Sequence, residues 1–273
     1  MRVLILLLYL LLTACTSMTP EERRHNADAL ATEKGWQQLR LTTHDFVLTA
    51  YGPATTTSKI LTVYIEGDGL AWLNRKQASD DPTPRNPVAL ELALQHAHGV
   101  AVYLARPCQY VAVADQQGCD VAYWTDRRFA PKVIDASSLA IDALKHRYGA
   151  EKLVLVGYSG GGAIAALVAA RRQDVVRLVT VAGNLDHLAW TTLHGVSPLT
   201  GSLNPADAWE ALQNIPQLHF VGGNDSNITT TTVSAYRSRF PLARRPEVQV
   251  ISSFDHTCCW VKQWPKLSSQ AFP

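Results

Sequence analysis

The apolar run Leu153-Val154-Leu155-Val156 passes straight into Gly157-Tyr158-Ser159-Gly160-Gly161-Gly162, and an alanine-rich stretch follows without an intervening loop. This passage constrains the fold more than any other part of the chain. Successive apolar residues without polar alternation are read as a strand covered on both faces. The stretch over 161–172, with Ile164, Leu167 and Val168 among alanines, is read as a helix. Strand and helix must then be joined by a very tight turn. Backbone crowds so closely there that Cβ atoms are excluded beside the serine, which accounts for the glycines. Ser159 would stand at the end of the strand, facing the unpaired N–H groups of the first helical turn, where developing negative charge is favoured. A phosphate cradle would carry Lys and then Ser or Thr after its glycines, but Ala163-Ile164 stand there. The G-x-G-x-x-G pattern of dinucleotide sites is not cleanly met either.

The rest of the chain repeats the alternation. Strands are expected over 39–41, 46–50, 60–65, 100–105, 153–156, 176–182, 218–221 and 248–251, the first two as a hairpin around His44-Asp45. Helices are expected over 87–96, 131–148, 161–172, 206–212 and 230–240. Apolar strands separated by helices make a mainly parallel sheet with both faces covered. At 273 residues, 47% hydrophobic and 18% charged, the chain has the length of one large domain and a globular composition. A net charge of +2, with arginines only in isolated pairs, argues against a nucleic-acid partner.

Between strand and helix, Gly-x-Ser-x-Gly resembles the nucleophile elbow of the α/β-hydrolase superfamily of esterases, lipases, thioesterases and peptidases. The resemblance implies a mostly parallel central sheet of about eight strands with helices on both faces. The short stretch between Ala182 and Ile215 leaves room for little or no cap domain. It implies Ser159 as nucleophile, followed in the chain by an acid and then a histidine. Phe254-Asp255-His256-Thr257 lies just beyond the last strand, which makes His256 the base. His187 and His194 come too early, and His219 is inside a strand. Gly222-Gly223-Asn224-Asp225 follows the penultimate strand and matches the superfamily's Gly-x-x-Asp turn, which makes Asp225 the acid, with Asp255 as the alternative. The oxyanion hole would use the N–H of Gly160 and one from Glu66-Gly67-Asp68-Gly69, most directly that of Asp68 with Gly69 close behind. Glu66 stands where related lipases and esterases commonly have His. No cofactor and no metal are implied. His96-x-His98 is not read as a metal pair, because side chains two apart on a helix diverge. The expected substrate is a small-molecule or lipid ester, with thioesters and peptides open. An acyltransferase, or a non-catalytic envelope lipoprotein binding a ligand or partner on a hydrolase scaffold, are the other readings.

The beginning of the chain carries a second signal. Arg2 precedes an apolar run over residues 3–12, and Leu12-Thr13-Ala14-Cys15 follows. This resembles a bacterial lipobox. It implies a signal peptide over 1–14, acylation of Cys15 and a membrane anchor; Thr16 in place of Asp implies the outer membrane, facing the periplasm. Residues 15–36 are expected as a tether and N-terminal segment, with a helix start at Pro20-Glu21-Glu22, and 37–273 as the hydrolase domain. In an oxidising compartment Cys108, Cys119, Cys258 and Cys259 can form disulfides, in any of three connectivities. Cys108 with Cys119, across a polar loop, and Cys258 with Cys259 are plausible pairs. The aromatic and charged segment 123–129 is expected to be a structural ion-pair network rather than a cleft wall, and Trp72 to border an acyl pocket.

Overall fold

A computed structural model describes residues 18–97 and 99–272. Residues 1–17, with the expected leader and Cys15, lie outside them, as do His98 and Pro273. Helix α1 (Pro20–Glu33) opens with a capping box. The Glu22 N–H donates to Thr19 Oγ1 at 3.2 Å, and the Thr19 N–H donates to Glu22 Oε2 at 2.6 Å. The helix is docked rather than trailing. Ala27 and Ala31 are buried in the core, and the Arg23 guanidinium is buried against the carbonyl oxygens of Asp81 and Thr83.

The chain then forms β1 (Trp36–Thr42), β2 (Val47–Pro53) and β3 (Ile60–Ile65), followed by a small hairpin of β4 (Trp72–Asn74) and β5 (Gln77–Ala78). Next come α2 (Val88–Leu94), β6 (Val100–Leu104), α3 (Pro131–Arg147), β7 (Lys152–Tyr158), α4 (Gly160–Ala169) and β8 (Val175–Val181). The last part holds α5 (His187–His194), α6 (Trp209–Leu212), β9 (Gln217–Gly222), α7 (Thr230–Ser238), β10 (Glu247–Ile251) and α8 (Trp260–Ala271). The eight long strands make one sheet in the order β1-β2-β6-β3-β7-β8-β9-β10. β2 pairs antiparallel with both neighbours, and every pair from β6 to β10 is parallel.

Helices cover both faces, as an α/β sheet without a solvated side requires. On one face α3 and α4 bury Val133, Ile134, Ile141, Leu144, Ile164 and Leu167. On the other, α1, α2 and α8 bury Ala27, Leu90, Leu92, Trp260 and Trp264.

The expected strands all form. The helix expected over 206–212 splits into a 3-10 turn, Pro205–Ala208, running into α6. Helix α2 ends at Leu94, and α5 and α8 were not anticipated. Both had local signals. Asp186 caps α5 by accepting from the Ala189 N–H, and Gly195 ends it at φ +58°. In α8 the buried Trp260, Trp264, Leu267 and Ala271 fall at helical spacing around Pro265. Of the three disulfide connectivities, the structure has Cys108–Cys119 and Cys258–Cys259.

The sheet register brings four turns to one edge. Ile65 lies opposite Gly157, Tyr158 opposite Val181, and Gly222 opposite Ile251. The turns after β3, β7, β9 and β10 therefore all leave at the carboxyl ends of parallel strands, where sites form in open α/β sheets.

Candidate active site

At the end of β7 the chain turns into α4 through Ser159, whose φ is +50°. This left-handed torsion costs a non-glycine residue of order 1 kcal/mol or more, so the surroundings must enforce it. They do so by crowding. A Cβ on Gly157 would collide with the Gly161 carbonyl, and one on Gly161 would collide with the carbonyl oxygens of Ile65 and Glu66. The turn is held by the Ser159 carbonyl, which accepts from the Gly162 N–H at 3.0 Å and the Asn184 N–H at 2.9 Å.

Ser159 Oγ lies 3.0 Å from His256 Nε2, and His256 Nδ1 lies 2.8 Å from Asp225 Oδ2. The other Asp225 oxygen accepts the N–H groups of Asn227 and Ile228, each at 2.8 Å. The carboxylate side chain is fully buried. The His256 loop is fixed from behind. Its carbonyl accepts from Tyr158 Oη and from Trp260 Nε1, both at 3.1 Å. Asp255, the alternative acid, is exposed and turned back on its own loop, where it accepts the N–H groups of Thr257 and Cys258. These amides hold its carboxyl below the usual range.

Asn227 belongs to this cluster and was missed in the sequence. Its Oδ1 accepts from Trp190 Nε1 at 3.0 Å, which fixes the amide orientation because indole N–H can only donate. Its Nδ2 therefore donates toward His256 Nε2, 3.2 Å away. With Asn227 and the Ser159 hydroxyl both directed at Nε2, the ring proton belongs on Nδ1, facing Asp225. The short spacing from Asp225 was the only sequence signal.

Asp68 and Gly160 also come together. A Cβ on Gly160 would strike the Asp68 carboxylate and come within 2.9 Å of Arg106 Nη1. The Asp68 carboxylate is engaged by two guanidinium groups, Arg128 Nη1 at 2.6 Å and Arg106 Nη1. Both arginines are buried. Burial raises the Asp68 pKa, but Arg128 and Arg106 outweigh it and the net shift is downward. The ion pair expected within 123–129 is thus made by Arg128 to the loop after β3 rather than to its neighbour Asp126. Glu66 is buried at 1% exposure, and its Oε1 accepts from the Gly67 N–H at 2.9 Å. Burial pushes its carboxyl up to about 7, only partly offset by hydrogen bonds from the Gly67 and Ala89 N–H groups.

Ser159 and His256 open on a cleft of about 720 Å³, walled by the loop after β3, by Pro84–Val88, and by Asn26 and Leu30 of α1. Glu91 and Arg85 add charge to its lining. Trp72 is not part of it; the residue is 43% exposed on the β4–β5 hairpin. A second cleft of about 560 Å³, between α4 and α5, holds none of these groups.

No family model matches the chain, and no curated protein matches its sequence. Solved structures do. An esterase from Pyrococcus furiosus superposes with a TM-score of 0.61 at 14% identity, over 93% of this chain and 94% of that one. An α/β hydrolase from a Penicillium species gives 0.60 at 12% identity, over 86% and 96%. An α/β serine hydrolase homologue from Coxiella burnetii gives 0.56 at 16% identity, over 86% and 95%. The chain has the α/β-hydrolase fold.

Proposed function

We propose that the chain is a serine hydrolase that cleaves a carboxylic ester through an acyl-enzyme. The observation that carries this reading is the unbroken line from Ser159 Oγ to His256 Nε2 to His256 Nδ1 to Asp225 Oδ2, with steps of 3.0 and 2.8 Å outside the ring. His256, with Nε2 as acceptor, takes the Ser159 proton as Oγ bonds to the carbonyl carbon. Asp225 stabilises the imidazolium that results. The N–H groups of Gly160 and Asp68 stabilise the tetrahedral oxyanion. His256 then returns the proton to the leaving alkoxide, and the alcohol departs. In the second half, water gives a proton to His256 as its oxygen bonds to the acyl carbon; the bond to Ser159 Oγ then breaks, His256 returns the proton to Oγ, and the acid departs.

The same reading includes acylation of Cys15 and attachment to the outer membrane, facing the periplasm, on the strength of Leu12-Thr13-Ala14-Cys15. A fluorophosphonate probe and a p-nitrophenyl ester test the chemistry together. Wild-type protein is expected to label at Ser159 and turn over. Ser159→Ala is expected to do neither, with hydrolysis lowered by about 10⁶. Wild-type turnover by Ser159→Ala would sink the assignment. Retention of Cys15→Ser protein in the membrane fraction, still carrying palmitate label, would sink the anchor.

A further inference from the structure

The loops that wall the cleft continue into a group of exposed apolar side chains that the catalytic reading does not use. Trp72 and Leu73, on the β4–β5 hairpin, are 43% and 49% exposed, and Val113 is 76% exposed. Met18, immediately before α1, is also exposed. These residues are far apart in sequence, but the segments carrying them are tied together. Ser79 donates its N–H to Ala71 at the hairpin base, and Leu70 donates its N–H to Pro82. Asp81 pairs with Arg23 and Arg24 of α1 at 3.8 and 3.5 Å. Arg24 donates to the Val111 carbonyl at 3.4 Å, and the Tyr110 N–H donates to Thr83 Oγ1 at 2.9 Å. The hairpin, the first turn of α1 and the loop bearing Val113 therefore meet around Asp81 and Thr83.

We propose that this face lies on a lipid bilayer, so that the Ser159 cleft opens beside the membrane and takes esters presented at its surface. The proposal rests on the hydrolase reading for the chemistry and on the chain itself for the occupant. The residues outside the described structure join it at Met18, within this face, and include Cys15, whose acylation is part of the proposed reading. A lipid on Cys15, three residues before Met18, brings this end of the molecule to the surface first. A tryptophan and a leucine on a protruding hairpin, followed by Arg75 and Lys76, suit the interface, where rings sit at headgroup level and basic tips meet phosphate. The acidic Glu21 and Glu22 also stand at this end, so the apolar contacts and not net charge must carry the interaction. The cleft is the next feature inward. Gly69 and Leu70 line it just before the hairpin, Pro84 and Arg85 just after Thr83, and Asn26 and Leu30 follow Arg23 along one stripe of α1.

The test uses the protein acylated at Cys15, isolated from membranes and reconstituted into vesicles of phosphatidylethanolamine and phosphatidylglycerol, with and without acyl-brominated lipid. Bromolipid is expected to quench part of the tryptophan emission, and Trp72→Phe to remove most of that quench, since Trp72 is exposed and the other tryptophans are buried or half-buried. The double variant Leu73→Asp, Val113→Asp is expected to hydrolyse a vesicle-borne ester about ten-fold more slowly than wild type while a soluble short-chain ester is cleaved at the wild-type rate. Quenching that is unchanged in Trp72→Phe, or an equal fall on both substrates, would overturn the proposal, as would a full chain that does not float with the vesicles. Wild-type protein inactive on the soluble ester marks failure of the hydrolase reading alone, because the quenching result stands without it.

Discussion

Glu66 is the residue whose replacement most directly tests the electrostatics of the site. Its carboxyl is enclosed at the end of β3, and burial moves its pKa from the ordinary value of 4.5 up to about 7. A raised folded-state pKa means that the folded protein holds this proton more tightly than the unfolded chain does. The stability so contributed is fully present below about 4.5 and is lost as pH rises through about 7. At about 1.4 kcal/mol per decade of proton affinity, this amounts to roughly 3 kcal/mol between pH 4.5 and 8. Glu66→Gln removes the titration but keeps an oxygen to accept the Gly67 N–H. The variant is expected to match wild type in urea unfolding at pH 5 and to exceed it by up to about 3 kcal/mol at pH 8, apart from a constant offset from the amide. The difference between the two pH–stability curves isolates Glu66 from every other titrating group. Parallel curves from pH 5 to pH 8 would show that the carboxyl is not held protonated, and the reasoning from burial would be wrong.

Three further outcomes are expected from the geometry. Asp225→Asn leaves the imidazole without an anionic partner and is expected to lower kcat by about 10⁴ with little change in the melting temperature, measured on a soluble ester. Asp68→Asn leaves Arg106 and Arg128 buried without a counter-charge and is expected to cost about 3–5 kcal/mol, read by thermal unfolding; a variant as stable as wild type would show that the pair is not desolvated. Replacing both Cys108 and Cys119 by alanine opens a link across 11 residues of sequence and is expected to cost about 3 kcal/mol in chemical unfolding, judged against wild type under oxidising conditions.

What could be read from the sequence divides along a physical line. Strands over 60–65 and 153–156 were legible because burial on both faces leaves no polar alternation, and the elbow because crowded backbone excludes every residue but glycine at Gly157 and Gly161. That Ser159, Asp225 and His256 would come together was legible because each follows a strand that local pattern alone reveals. The sheet order was not derivable in this way, since pairing of β3 with β6 and β7 is a long-range choice among similar apolar strands. Helix α5 was hidden by its length, although Asp186 and Gly195 bracket it, and α8 by Pro265, although its tryptophans keep the helical period.

The segment Glu66-Gly67-Asp68-Gly69 marks the limit of local pattern. As a sequence it offered only backbone, a glycine-rich loop able to aim N–H groups at an oxyanion. Its two carboxylates had no visible partners, because Arg106 and Arg128 stand 38 and 60 residues further on. In the folded chain they behave oppositely. Asp68 meets two guanidinium groups and stays ionised, whereas Glu66 is buried against amides and a tyrosine and rises to about 7. Two buried cations facing one anion leave an excess of positive charge beside Gly160 until Glu66 ionises. In the proposed mechanism the loop would act through its side chains as well as its amides. Substituting Asp68 would disturb the charge behind the oxyanion hole even though the donor assigned to it is a backbone N–H.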